Sequence, residues 1–188
     1  MPDAEETKSP RKKFGTLVWV LLSVSVVVFF LFAMAAPKFG RFGFNVKARE
    51  AKLNIASIRT AEQSYFNEFG MHIPAPAAPL GTPGVLKMRW PESSEGFEKI
   101  GWEPEGDVYC SYGVAVEGPA FTAEAICDLD GDGEFQAWGY VQPAPGSTVG
   151  IPGPFGHCQP EGVFDSSNTA PLLEAVGPCK EEHGLTIF

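Results

Sequence analysis

The chain has 188 residues and a formal net charge of −9, with 14 Lys and Arg against 23 Asp and Glu. That length suffices for one modest domain beside a tail. The acidic balance beyond Gly70 excludes a nucleic-acid binder, which needs a basic footprint.

Residues 1–13 (MPDAEETKSPRKK) read as a short polar tail. The run Phe14–Ala36 (FGTLVWVLLSVSVVVFFLFAMAA) holds no charge and lies between Lys13 and Lys38. A helix rising ~1.5 Å per residue through it would reach across the ~30 Å core of a bilayer, so a transmembrane helix over 14–36 is expected. A secretory signal peptide is the alternative: Ala33, Ala35 and Ala36 suit cleavage, whereas the length of the run and Pro37-Lys38 do not. Basic residues on both sides of the run suit lipid headgroups and leave the charge rule for orientation nearly tied. The cysteines break the tie. Cys110, Cys127, Cys158 and Cys179 all follow the run, an even number in a Gly/Pro-rich region, as in disulfide-bonded domains outside the cytoplasm. Zinc is disfavoured, because no Cys-x-x-Cys occurs.

Pro37, Gly40 and Gly43 weaken the helix after the run. Helical periodicity then resumes: Ala51, Ile55, Ile58, Ala61 or Glu62, Tyr65 and Phe69 recur at spacings of three and four. Gly70 follows as a C′ glycine. The segment 37–70 is therefore expected to continue the stalk as an amphipathic helix. Residues 71–188 form the expected disulfide-bonded, β-rich head with an irregular tail. Within it, PAPAAPLGTPG at 74–84 argues against regular structure, and FEKIGW at 97–102 suits a short turn burying Phe97, Ile100 and Trp102.

Gly118-Pro119 separates two alternating runs, DVYCSYGVAVE and AFTAEAICD, and predicts a hairpin. Centring the turn there opposes Val116 to Phe121, Val114 to Ala123, Tyr112 to Ala125 and Cys110 to Cys127, leaving Ser111, Gly113, Thr122 and Glu124 on the polar face. The register predicts a Cys110–Cys127 disulfide and leaves Cys158 to Cys179. EFQAWGYVQ at 134–142 follows as a third strand, and 143–188 shows little periodicity.

The turn between those strands carries Asp128, Asp130, Asp132 and Glu134 in a Gly-rich DLDGDGE. Alternate carboxylates of this kind can converge on calcium, as in the first half of an EF-hand loop, although Gly139 stands at the twelfth position. The alternative is an Asp/Gly turn that simply suits the backbone. His72, His157 and His183 are scattered, no catalytic motif is present, and no enzyme activity is expected.

The basic tail, apolar helix, nearby proline, amphipathic continuation and small disulfide-bonded sheet resemble type IV pilins and the pseudopilins of type II secretion. RKKFGTL (11–17) resembles a prepilin cleavage site, AMAAPKFGRF (33–42) the family's Ala-Ile-Pro-x-Phe segment, and KAREAKLNIASIRTAEQSYFNEFG (47–70) the second half of its long helix. GWEPEGDVYCSYGV (101–114) and CDLDGDGEFQAW (127–138) resemble head segments. The resemblance implies an α+β fold with a long N-terminal helix, transmembrane and then amphipathic, packed on a small antiparallel sheet. It implies cleavage between Gly15 and Thr16, an inner-membrane anchor with a periplasmic head, and assembly with other pilin-like subunits by a prepilin peptidase and pilus or secretion machinery. Two features depart from the family: Phe14-Gly15 stands where Gly-Phe is usual, and the place of its glutamate falls on Trp19 or Val20. They fit a minor, tip-type or divergent subunit. The alternative is a permanently anchored binding or sensor module that does not polymerise.

Overall fold

The computed structural model describes residues 11–165, 168–183 and 187; within the first helix, side chains are described at 15, 17–33 and 43–69. Helical backbone forms α1 (Arg11–Phe69), followed by strands β1 (Ala75–Ala78), β2 (Cys110–Glu117), β3 (Ala120–Cys127), β4 (Gln136–Gln142), β5 (Val163–Asp165), β6 (Asn168–Leu172) and β7 (Val176–Pro178). The chain divides into two compact units, Met1–Phe42 and Gly43–Phe188.

The expectation of a long helix, transmembrane and then amphipathic, packed on a small sheet is overturned. The described helical stretches 17–33 and 43–69 belong to different units. Among the described residues, no helix is long and apolar enough to cross a membrane. The side chains of the expected 14–36 span other than Gly15 and residues 17–33 lie outside the described residues. The tail at 1–10 lies outside them too. Only an amphipathic stretch can seal a sheet while facing water on its other side, and that stretch is 43–69. Its stripe is the one with a single apolar face.

Ala48, Ala51, Ile55 and Ile58 are buried in one core with Tyr112, Val114, Phe121, Ala123, Ala125 and Tyr140 of the sheet. Polar side chains at the edge of the stripe fix the docking. Asn54 donates to the Tyr112 hydroxyl at 2.8 Å, the Trp102 indole N–H donates to Ser57, and Glu50 accepts from the Tyr109 N–H at 2.8 Å. The helix stops at Phe69, where the Gly70 N–H reaches the Phe66 carbonyl at 2.7 Å with Gly70 at φ 75°, the left-handed cap that glycine adopts without a Cβ penalty. FEKIGW forms the expected turn: Phe97, Ile100 and Trp102 are buried, with Trp90 and Tyr112 edge-on to Trp102.

The main sheet is five-stranded and antiparallel, in the order β1-β2-β3-β4-β7. The β2–β3 register pairs Val116 with Phe121, Val114 with Ala123, Tyr112 with Ala125 and Cys110 with Cys127. Those two cysteines are bonded, with Cα atoms 4.4 Å apart, and Cys158 is bonded to Cys179. Two sequence expectations fail here, and a third finding goes beyond them. The proline-rich 74–84 contains β1, which is possible because β1 is an edge strand and Pro76 need not donate to a second neighbour. The tail is more ordered than its lack of periodicity implied: β7 joins the main sheet, and β5 and β6 form a two-stranded ribbon. The polar face of the hairpin does not face water; Ser111, Thr122 and Glu124 are buried. The Ser111 hydroxyl donates to the Pro79 carbonyl and that of Thr122 to the Ile151 carbonyl, each at 2.7 Å, and the segment around 150–158 covers Thr122 and Glu124.

Candidate functional site

Every large apolar side chain described between Leu17 and Phe32 is exposed, Trp19 to 75% and Phe32 to 73%. The polar interruption at Ser23 is turned inward on the backbone, donating to the Val20 carbonyl at 2.8 Å. The stretch is thus apolar on all sides, a surface that water disfavours and that lipid or other apolar helices cover well. Gly15 sits in this helix with open space around it, and the Thr16 side chain lies outside the described residues. Trp19 and Val20 are both exposed and uncharged.

In the second unit, a groove of about 860 Å³ runs between the end of α1 and the segment after β4. Gln63, Phe66, Asn67 and His72 line one wall, and Gln142 to Thr148 with Leu173 and Glu174 line the other. A hydrogen-bond relay crosses beneath it: Gln63 donates to the Tyr140 hydroxyl at 3.3 Å, Tyr140 to Gln142 at 2.7 Å, and Gln142 to Glu174 at 2.7 Å. Glu174 holds its place at φ 59°, an unfavourable conformation for a residue with a side chain.

Behind the wall lies Glu62, wholly buried. Its Oε2 accepts from the Ile73 N–H at 3.1 Å and lies 3.1 Å from His72 Nδ1, while Oε1 has no protein partner. Phe66 stacks on the His72 ring at 4.6 Å and Phe121 packs against it at 4.4 Å. Burial pushes the Glu62 carboxyl up to about 7, against the pull of the Ile73 N–H, and pushes His72 down, against the pull of Glu62.

A second buried carboxylate, Glu124, lies on the opposite face of the sheet. Its Oε2 accepts from the Phe155 N–H at 2.8 Å and its Oε1 from those of His157 and Cys158 at 2.9 Å. Burial raises its pKa and these backbone N–H groups oppose the rise. Gly153 packs so closely on the carboxylate that a Cβ there would overlap it, and Gly139 likewise makes room for the Cys158 sulfur. The histidines that look scattered in sequence are partly gathered: His157 and His183 have ring centroids 6.3 Å apart. His183 Nδ1 takes the Ala137 N–H at 3.0 Å, and the neighbouring Cys158 is tied up in its disulfide, which removes the nucleophile a thiol–imidazole pair would need.

Oxygens of Asp128, Asp130 and Asp132 lie within 4.8 Å of one another; Glu134 is not part of the group. Both Asp128 oxygens already serve the backbone, taking the Gly131 N–H at 2.7 Å and the Gly133 N–H at 3.2 Å, and Asp132 takes the Glu134 N–H at 2.8 Å. Leu129, buried in the main core, pins the turn from below. The exposed Asp130 and Asp132 are the groups a calcium ion would meet, with Asp128 behind them; the same bonds also close the turn without one.

The chain matches no known family, no curated protein and no solved structure. Sequence reading assigned no role to Glu62 or Glu124. For Glu62 a signal existed, a carboxylate at a position of the apolar stripe. For Glu124 there was none, because alternation along β3 assigns it to the polar side and the covering segment has no periodic pattern.

Proposed function

We propose that the chain is a pilin-like structural subunit. Its apolar N-terminal segment is held in lipid at the bacterial inner membrane before assembly. In a type IV pilus or secretion pseudopilus the same segment packs against its counterparts in neighbouring subunits. The acidic, disulfide-bonded head faces outward, in the periplasm and then on the filament surface. One observation carries the reading: the helical stretch 17–33 is apolar on every side and exposed throughout. At about 25 cal/mol per Å² of apolar surface, covering such a stretch is a strong driving force for association with lipid or like helices. The machinery implied is a prepilin peptidase cutting before Thr16 and an assembly platform. The missing glutamate at Trp19 or Val20 points to a minor or tip subunit.

A second reading, a permanently anchored binding or sensor module, is favoured by the groove beside Phe66 and His72. Intact mass and N-terminal sequence from native membranes and from sheared filaments separate the two. A chain beginning at Thr16 in the sheared fraction is the expected result. A chain beginning at Met1 and confined to membranes would sink the filament reading and leave the module.

A further inference from the structure

The Glu62–His72 pair, beside the stack of Phe66 on His72, ties the last turns of α1 to the segment leading into β1. Glu62 comes from the helix; His72 and the Ile73 N–H come from the segment, and both converge on the same carboxylate oxygen at 3.1 Å. The other oxygen is buried without a protein partner. An ionised carboxylate in that position carries uncompensated lone pairs beside a histidine ring that Phe66 and Phe121 enclose, which is costly. One added proton, on either Glu62 or His72, removes the pair's net charge and lowers that cost.

The packed elements supply little else to neutralise it. On α1, the Arg59 guanidinium lies over the Tyr140 ring at 5.5 Å, and Tyr65 stacks on Phe69. On β3, Phe121 is not titratable. On β4, Tyr140 is buried behind Phe121, and the nearby Glu174 is bonded to Gln142. His72 also lines the groove, so whatever holds it holds that wall.

We propose that Glu62 and His72 form a proton-sensitive latch: with a proton shared between them the segment 72–75 is fastened to the end of α1, and when the proton is lost the segment loosens and the groove wall opens. The direction is set by the carboxylate. Its affinity for protons is higher in the closed state than in an opened, solvated one, so opening is favoured as pH rises through neutrality. His72 acts the other way below its ordinary pKa, because burial disfavours its charged form.

Amide hydrogen exchange on the full chain tests this at the Ile73 N–H, which opening must release. Comparing Glu62→Gln with wild type at each pH cancels the intrinsic pH dependence of exchange. Between pH 6 and 8 the protection of Ile73 in wild type relative to the variant should fall by about tenfold. A ratio unchanged over that range would overturn the latch. A carbon-13 titration of the Glu62 carboxyl in wild type serves the same end without any substitution: a midpoint near neutrality is expected, and one at the ordinary glutamate value would overturn the proposal even if the variant fails to fold.

Discussion

Two glutamates are buried on opposite faces of one sheet, and their partners differ in kind. Glu124 receives three backbone N–H groups from a single short segment, distributed over both oxygens. Glu62 receives one backbone N–H and a histidine, all on one oxygen. The first arrangement places donors on both oxygens and fixes a loop; the second leaves one oxygen buried without a protein partner. Burial alone therefore says little about what a buried acid does. Burial pushes both carboxyls up, and the distribution of donors over the two oxygens sets how firmly each carboxylate is held against that push.

The sharpest way to break this comparison is to make both residues neutral at constant shape. Glu124→Gln keeps one acceptor but turns an amide N–H₂ toward backbone N–H groups that have no other partner. It should destabilise the protein by about 3 kcal/mol, measured by denaturant midpoint, with the loss concentrated in the segment 153–158. Stability equal to wild type would mean that the loop does not depend on the carboxylate.

Glu62→Gln should behave in the opposite sense. The folded Glu62 pKa is raised from 4.5 to about 7. Its contribution to stability is thus fully present below pH 4.5 and lost as pH rises to about 7. The lowered His72 pKa opposes this below its ordinary 6.5, which flattens the wild-type profile in acid. Taken against wild type at the same pH, the variant should gain about 2 kcal/mol on going from pH 5 to pH 8, since the amide leaves one weaker unpaired polar group where the charge had been. A difference unchanged between pH 5 and pH 8 would count against the unpaired oxygen as the source of strain.

The same contrast explains what could be read from the sequence. The β2–β3 hairpin was legible because Gly118-Pro119 and strict alternation fix every pair, including Cys110 with Cys127. The helix stripe from Ala51 to Ile58 was legible for the equivalent reason at period 3.6. Beyond those local rules, sequence reading failed. Nothing in the pattern of 150–158 announces that it covers the second face of the sheet and converts Glu124 and Thr122 from surface into interior. β7 has three residues, Val176–Pro178, too short for any period to show. The expected union of apolar run and amphipathic stripe into one helix on the sheet also failed, because helical pattern resumes after Gly43 without announcing that only the part from Gly43 shares a unit with the sheet.

The acid turn extends the comparison to the surface and carries the smallest expected effect. Asp128, like Glu124, places backbone N–H groups on both oxygens, those of Gly131 and Gly133, but it does so at the rim beside the exposed Asp130 and Asp132. Water can replace much of what is lost there, so Asp128→Ala should cost about 1 kcal/mol. If the bonds alone shape the turn, wild-type Tm will be the same in millimolar calcium and in chelator. A calcium-dependent rise that disappears in Asp128→Ala would instead make the three aspartates an ion site, with Asp128 orienting the two that face outward. The turn's dependence on Asp128 then tests whether a carboxylate saturated by backbone donors still has the charge to hold a cation.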